Sequence, residues 1–429
     1  MPRGGGTIRV LWAAAWVLAG LTPCAAAAEI DVPARGTALR DAVAKAAPGD
    51  TIRLAAGRHA GPVVIDKPVT LDGGGRAVVE GPGSGSVIRV VAPGVTVRGL
   101  VVRGSGTNGG DIDAGIYAEE AANGVVIEDN RLEGNLFGIV LQGPDDAAAR
   151  RNHIANRNDL WLNDRGNGIQ LWSNTRTVIE DNVIVGGRDG IFITTAHGNV
   201  IRRNRFQDAR FAIHYMFANR NEVSDNISIG AHTGFALMFS DNLKVYRNIS
   251  LNDRDQGLMF HTSHKSEMVG NYIKGAGEKC VFIYTSTRNR IRDNRFEDCG
   301  IGIHFTGGAE NNEFVGNAFI NNRNQVKYAG TVYYEWSKGG RGNYWSDNIA
   351  FDLNGDGLAD VAYRPNSLVD RVVWTYPLAK LLLSSPIMEA LRFAQSQFPA
   401  LYPGGVIDSH PLMAPPPLPV PLPDTGAGT

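Results

Sequence analysis

The sequence predicts an all-β fold, a right-handed parallel β-helix (solenoid) with an N-terminal cap and a C-terminal mixed, partly helical extension. Two interleaved phrases predict it. Nine asparagines recur as Asn130, Asn152, Asn182, Asn204, Asn226, Asn248, Asn271, Asn294 and Asn317, at intervals of 22, 30, 22, 22, 22, 23, 23 and 23 residues. Between them runs Gly-Ile-x-(Ile/Leu/Phe), beginning at Gly138, Gly168, Gly190, Gly257 and Gly302, with Ala212, Ala236 and Cys280 in the glycine position of three further copies. A fixed period of this size marks a repeat architecture. Within each repeat, apolar residues alternate with period two over three to five residues, and no long run at helical spacing lies between Val63 and Tyr328. That pattern selects strands. Stacked parallel strands lie about 4.8 Å apart, so a corner asparagine reaches the coils on either side. Asparagine also tolerates the left-handed backbone of a tight turn. These asparagines are therefore read as structural.

Residues 1–28 read as a secretory signal peptide: Arg3 and Arg9 are basic, Val10 to Leu21 is apolar, and Ala26 to Ala28 suits cleavage before Glu29. Export from the cytoplasm is expected. Cys24 lies in a poor lipoprotein box spoiled by Pro23, so soluble export is expected over a lipid anchor. Loss of this segment moves the formal net charge from −1 to −3, a balance that gives no reason to expect nucleic acid. Residues 29–61 form the N-terminal cap, with an amphipathic helix over Thr37 to Ala47 that covers the open strand edges of the first coil. Residues 62–328 are the β-helix. The 30-residue interval carries a projecting loop near Asp159 to Arg165, where Trp161 is either a contact or part of a lid.

Residues 329–413 form the C-terminal extension, helical over Val369 to Phe398 with breaks at Pro377 and Pro386. Its apolar faces would close the open end of the stack or bind another protein. Residues 414–429 are a Pro-rich tail, expected to be disordered. The two mature cysteines, Cys280 and Cys299, are expected to be buried thiols. Cys299 lies three residues before Gly302, the register partner of Cys280, and three extended residues span about 10 Å.

Three clusters could carry chemistry. In the Gly-Ile phrase the residue after the second position points outward, and alignment of the copies puts His214, Met216, Met238, Met259 and His261 on one outer patch. Thioethers and imidazoles suit Cu(I), and methionine is normally an interior residue. The competing reading is a face packed under a loop or partner. Second, Asp352, Asn354, Asp356 and Asp360 have the spacing of the first part of a calcium loop, with Gly357 at the turn, but Tyr363 replaces the bidentate glutamate. Calcium and a plain turn both stay open. Third, Arg188, Asp189, Arg210, Asp253, Arg254, Asp255, Glu278 and Lys279 line the corners before the glycines. Carboxylates with arginines would serve an exported polysaccharide-active enzyme or a carbohydrate-binding β-helix protein, or simply form a salt-bridged surface.

Longer phrases carry a resemblance: Gly186-Gly-Arg-Asp-Gly-Ile191, Arg210-Phe-Ala-Ile-His-Tyr-Met216, Lys279-Cys-Val-Phe-Ile-Tyr284, Gly340-Arg-Gly-Asn-Tyr-Trp-Ser-Asp347, Tyr363-Arg-Pro-Asn-Ser-Leu-Val-Asp370 and Gln395-Ser-Gln-Phe-Pro-Ala400. Together they resemble the NosD family of periplasmic proteins required for maturation of nitrous oxide reductase, over nearly all of the chain from the end of the signal peptide to about Met413. The resemblance implies a non-enzymatic accessory role on an ABC-type complex of permease and ATPase. It implies work with a copper lipoprotein chaperone and the apo nitrous oxide reductase, to help deliver copper to the reductase's copper–sulfur centre. It also makes the His/Met patch a sensible transient Cu(I) site.

Overall fold

The fold is given by a computed structural model that describes Met1 and residues 27–328, 330, 332–398, 404–418 and 420–421. The signal peptide expected over residues 1–28 lies almost wholly outside the described residues. Among the described residues no helix is long and apolar enough to cross a membrane.

The predicted β-helix is present. Its strands pair in parallel, coil upon coil, in a 12-stranded sheet on one face and a 24-stranded sheet that wraps the other two. The Gly-Ile phrases build the 12-stranded face: Phe211–Met216, Thr233–Met238, Gln256–His261 and Lys279–Tyr284 are successive neighbours on it. Their alternate residues Ile213, Tyr215, Phe235, Leu237, Leu258, Phe260, Val281 and Ile283 fill the interior. Parallel ladders and a continuous apolar column lock the register, because a one-residue slip would turn the column out to solvent.

The asparagines form the expected ladder, and it is longer than the sequence pattern indicated. Each Nδ2 from Asn130 to Asn294 donates to the Oδ1 of the next asparagine at 2.9–3.1 Å. Asn317 continues to Asn343, and Asn343 donates to Asp408. The left-handed residue at these corners is the one before the asparagine, such as Asp129, Asp181, Arg203 or Asp225, and not the asparagine itself. The asparagine turns inward, where its side chain satisfies backbone groups the corner would otherwise leave unpaired. The left-handed positions point outward and carry ion pairs between coils, including Asp181–Arg203 and Asp225–Arg247.

Helix α1 (Ala38–Lys45) covers the first coils through Leu39, Ala42 and Val43. The far end is closed by aromatic stacking: Trp336 lies 3.9 Å from Phe314 and Trp345 lies 4.3 Å from Phe319, ring centre to ring centre. Helices α2 (Leu368–Thr375) and α3 (Pro386–Gln397), joined by a 3₁₀ turn over Pro377–Leu382, form their own small core of Val369, Val373 and Met388. They leave Leu378, Leu381 and Phe393 exposed. Within the tail, Val420 packs against Ile249, Leu251 and Tyr272, so the Pro-rich stretch does not simply hang free as expected. Residues 422–429 lie outside the described residues.

The expectation of two free thiols is overturned: Cys280 and Cys299 form a disulfide, with their Cα atoms 5.6 Å apart. The chain between Cys299 and Gly302 is not extended. Asp298 adopts a left-handed conformation immediately before Cys299, and the corner folds Cys299 back over the coil below.

Candidate metal centre

The outer face of the 12-stranded sheet carries the five His and Met residues, in an arrangement that differs from the one expected. Register pairs Met216 with Met238 and Met238 with His261, so these three form one column on three successive strands. His214 pairs with Ala236, and Ala236 with Met259, in a second column two residues along. Met238 therefore belongs beside Met216 and His261, not between His214 and Met259. The cause is a two-residue slip: Gly234, not Ala236, is in register with Gly257, since Phe235 pairs with Leu258. A slip of two preserves which side chains face out.

Ala236 points outward, away from the interior cluster, yet is fully buried. Met216, Met238, Met259 and His261 are half-buried, while His214 is buried. His214 is fixed by Asp189, whose Oδ2 lies 2.9 Å from the imidazole Nδ1, and by the rings of Phe192 and Phe211 at 5.0 and 4.8 Å. Asp189 also receives two hydrogen bonds from Arg210, at 2.8 and 2.7 Å. Burial pushes its carboxyl up, but the bonds from His214 and Arg210 outweigh this and hold it below the usual carboxylate range.

Beside the Met216 column runs an aromatic edge that sequence reasoning missed. Phe217 stacks on Phe239 at 5.2 Å, Phe239 meets His261 at 4.8 Å, and His261 meets Tyr284 at 4.9 Å. Phe217 and Tyr284 are exposed. Phe217 and Phe239 occupy left-handed corners, a conformation costly for a bulky residue. Their equivalents Ser173, Thr195, Thr262 and Thr285 are left-handed too, so the corner demands the conformation and the sequence places phenylalanine there regardless. The signal was visible as Met-Phe at 216–217 and 238–239.

The donor set fits a soft, monovalent cargo. Two thioethers and an imidazole on adjacent strands, spaced by about 4.8 Å, suit Cu(I), and they offer no oxygen for a hard cation. Among the described residues, no group of three or more His, Cys, Asp or Glu is placed to hold a metal ion. That includes Asp352, Asn354, Asp356 and Asp360. The two Asp352 oxygens accept the amides of Gly355, Asp356 and Gly357, Asn354 accepts that of Asp356, Asp356 that of Leu358, and Asp360 that of Leu353. This is a turn stabilised by its own carboxylates.

Several of the corner charges are engaged as well, though Arg188 is not. Asp189 is paired with Arg210, Asp253 is buried against Ser228 and Ser250, and Lys279 bonds to Glu278.

A family model described as periplasmic copper-binding protein (NosD) matches residues 151–349, which include the whole patch. Over 373 residues the chain is 42% identical to a Pseudomonas aeruginosa protein named probable ABC transporter binding protein NosD, covering 84% of this chain and 87% of the relative. This chain belongs to the NosD family. A relative of the same name from Stutzerimonas stutzeri is 39% identical over 375 residues, 84% of this chain and 86% of the other. Among solved structures, a mannuronic acid specific polysaccharide family 6 lyase superposes with a TM-score of 0.55 over 73% of this chain and 87% of its own, at 14% identity. A PL6 alginate lyase in complex with trisaccharide gives 0.53 over 69% and 80%, also at 14%. These two likenesses describe the NosD solenoid's fold.

Proposed function

We infer that this protein is the periplasmic copper-handling component of an ABC-type transporter assembly that matures nitrous oxide reductase. It receives Cu(I) and passes it towards the reductase's copper–sulfur centre. The observation that carries this reading is the column Met216, Met238, His261 on three adjacent strands. Thioethers bind Cu(I) selectively but not irreversibly, which suits hand-over. His214 and Met259 flank the column across Ala236 and offer a second stopping point, with Asp189 holding the His214 ring so that Nε2 is the free nitrogen.

The partners of this reading are a permease and its ATPase, a copper lipoprotein chaperone that donates, and the apo-reductase that accepts. The exposed apolar residues of the 3₁₀ turn and of α3 (Leu378, Leu381, Ile387, Phe393) are the surface offered to the permease. The protein itself catalyses no reaction. The alternative, a sugar-active β-helix, needs acid, base and arginine converging in an open cleft. Asp189, Arg210 and His214 do converge, but Asp189 is 1% exposed and spent on its two partners.

Reductase matured in cells carrying a Met216→Leu/Met238→Leu chain should lack the absorption of its copper–sulfur centre, while the variant accumulates folded. A fully assembled centre would remove this column from the route.

A further inference from the structure

Two to four coils ahead of Met238 the same face holds a small cavity of about 110 Å³ under the loop that follows Asn156. Arg165, Asn167, Gln170 and Arg188 line it, between the rings of Phe137 and Phe192. We propose that it is a binding site for a small inorganic oxyanion.

The cavity carries unspent positive charge. Asp189, the one carboxylate at the cavity, is taken up by Arg210 and His214. Arg165 is fixed by the carbonyls of Leu160 and Asn158 at 2.9 and 2.7 Å, which pin the loop and bring its guanidinium to the cavity wall. Arg188 has no ion-pair or hydrogen-bond partner for its side chain among the described residues, and its Nε is buried. A buried guanidinium nitrogen with no acceptor is costly, and a planar guanidinium fork matches an oxyanion. Gln170 accepts from Asn167 through Oε1 and keeps Nε2 free to donate. Sites for drug-sized or cofactor-sized ligands occupy about 300–1,000 Å³, so the cavity admits only a small ion. None of Met216, Met238, Met259 or His261 lines it, and the inference does not rest on the copper reading, although Asp189 and Phe192 in its wall also touch His214.

The test is calorimetric titration of sodium sulfate, and separately phosphate, into the full mature chain, with sodium chloride holding ionic strength constant. The expected result is saturable binding of about one anion per chain. Arg188→Gln should weaken it about tenfold or more, and Gln170→Leu by a smaller factor. Arg176→Gln, at an exposed ion pair on another corner, should change nothing. Absence of saturable binding, or equal affinity in Arg188→Gln, overturns the proposal. If Arg188→Gln does not fold, unchanged affinity in Gln170→Leu overturns it equally.

Discussion

Asp408 ends the asparagine ladder at Asn343: one carboxylate oxygen accepts the Asn343 backbone amide at 2.7 Å and its Nδ2 at 3.2 Å. The same oxygen takes the indole N–H of Trp345 at 2.8 Å. A chain of amides all donating in one direction polarises its members alike, and here it runs into a negative charge at the acceptor end. Asp408 lies beyond α3, so this contact also fastens the return of the chain to the solenoid. Asp408→Ala should leave Asn343 and Trp345 with buried, unpaired donors and lower stability by about 3 kcal/mol. Limited proteolysis should then cut the region between Tyr363 and Gly404 earlier than in the parent chain. An unchanged cleavage pattern would mean that the helices are held elsewhere.

The middle of the ladder makes a sharper prediction. Asn226 accepts from the backbone and side chain of Asn204 and donates to the Ile201 carbonyl and to Asn248. Asn226→Ala orphans groups on three coils, so a loss of about 3 kcal/mol or more is expected in urea unfolding. Asn226→Ser, which keeps one acceptor, should lose less.

Much of this was legible in the sequence, for a physical reason. A solenoid repeats the same local problem at every coil, so corners, interior columns and outward columns recur at a countable spacing, and both ends of the cap helix α1 fall within two residues of expectation. The face that bears His214, Met216, Met238, Met259 and His261 was legible because alternation has period two. Which residues share a column was not, because Ala236-Leu-Met-Phe239 imitates the Gly-Ile phrase two residues downstream of the true register glycine, Gly234. The disulfide was hidden for a related reason: sequence distance converts to length along a strand, but not through a corner where Asp298 is left-handed. The Asp189–His214 contact links positions 25 residues apart, and only the stacking of neighbouring coils joins them.

That disulfide closes a loop 19 residues long in sequence. Its removal in Cys280→Ser/Cys299→Ser frees the unfolded chain, with an expected cost of about 3 kcal/mol. Thermal midpoints of the variant and of the parent with reductant should fall together. A parent midpoint indifferent to both would show that the link contributes nothing.

Asp253 sets a pH dependence. Burial pushes its carboxyl up to about 7, against bonds from Ser250, Ser228 and the Ala231 amide. Between the ordinary carboxylate value and about 7 the folded chain holds a proton that the unfolded chain has released. Stability therefore falls as pH rises through that window and levels off above it. Asp253→Asn should raise the unfolding midpoint by several degrees at pH 8 and by little near pH 4. An equal change at both would place the effect in packing and not in the proton.

The column Met216, Met238, His261 on the solenoid's outer face is proposed as a Cu(I) site. Titration of the purified mature chain with Cu(I), against a competing chelator, tests it directly. The parent should bind about one copper, Met216→Leu/Met238→Leu should lose about tenfold or more in affinity while keeping its unfolding midpoint, and Met259→Leu should lose less. Equal affinity in the parent and the double variant, or no binding by the parent, would contradict the claim.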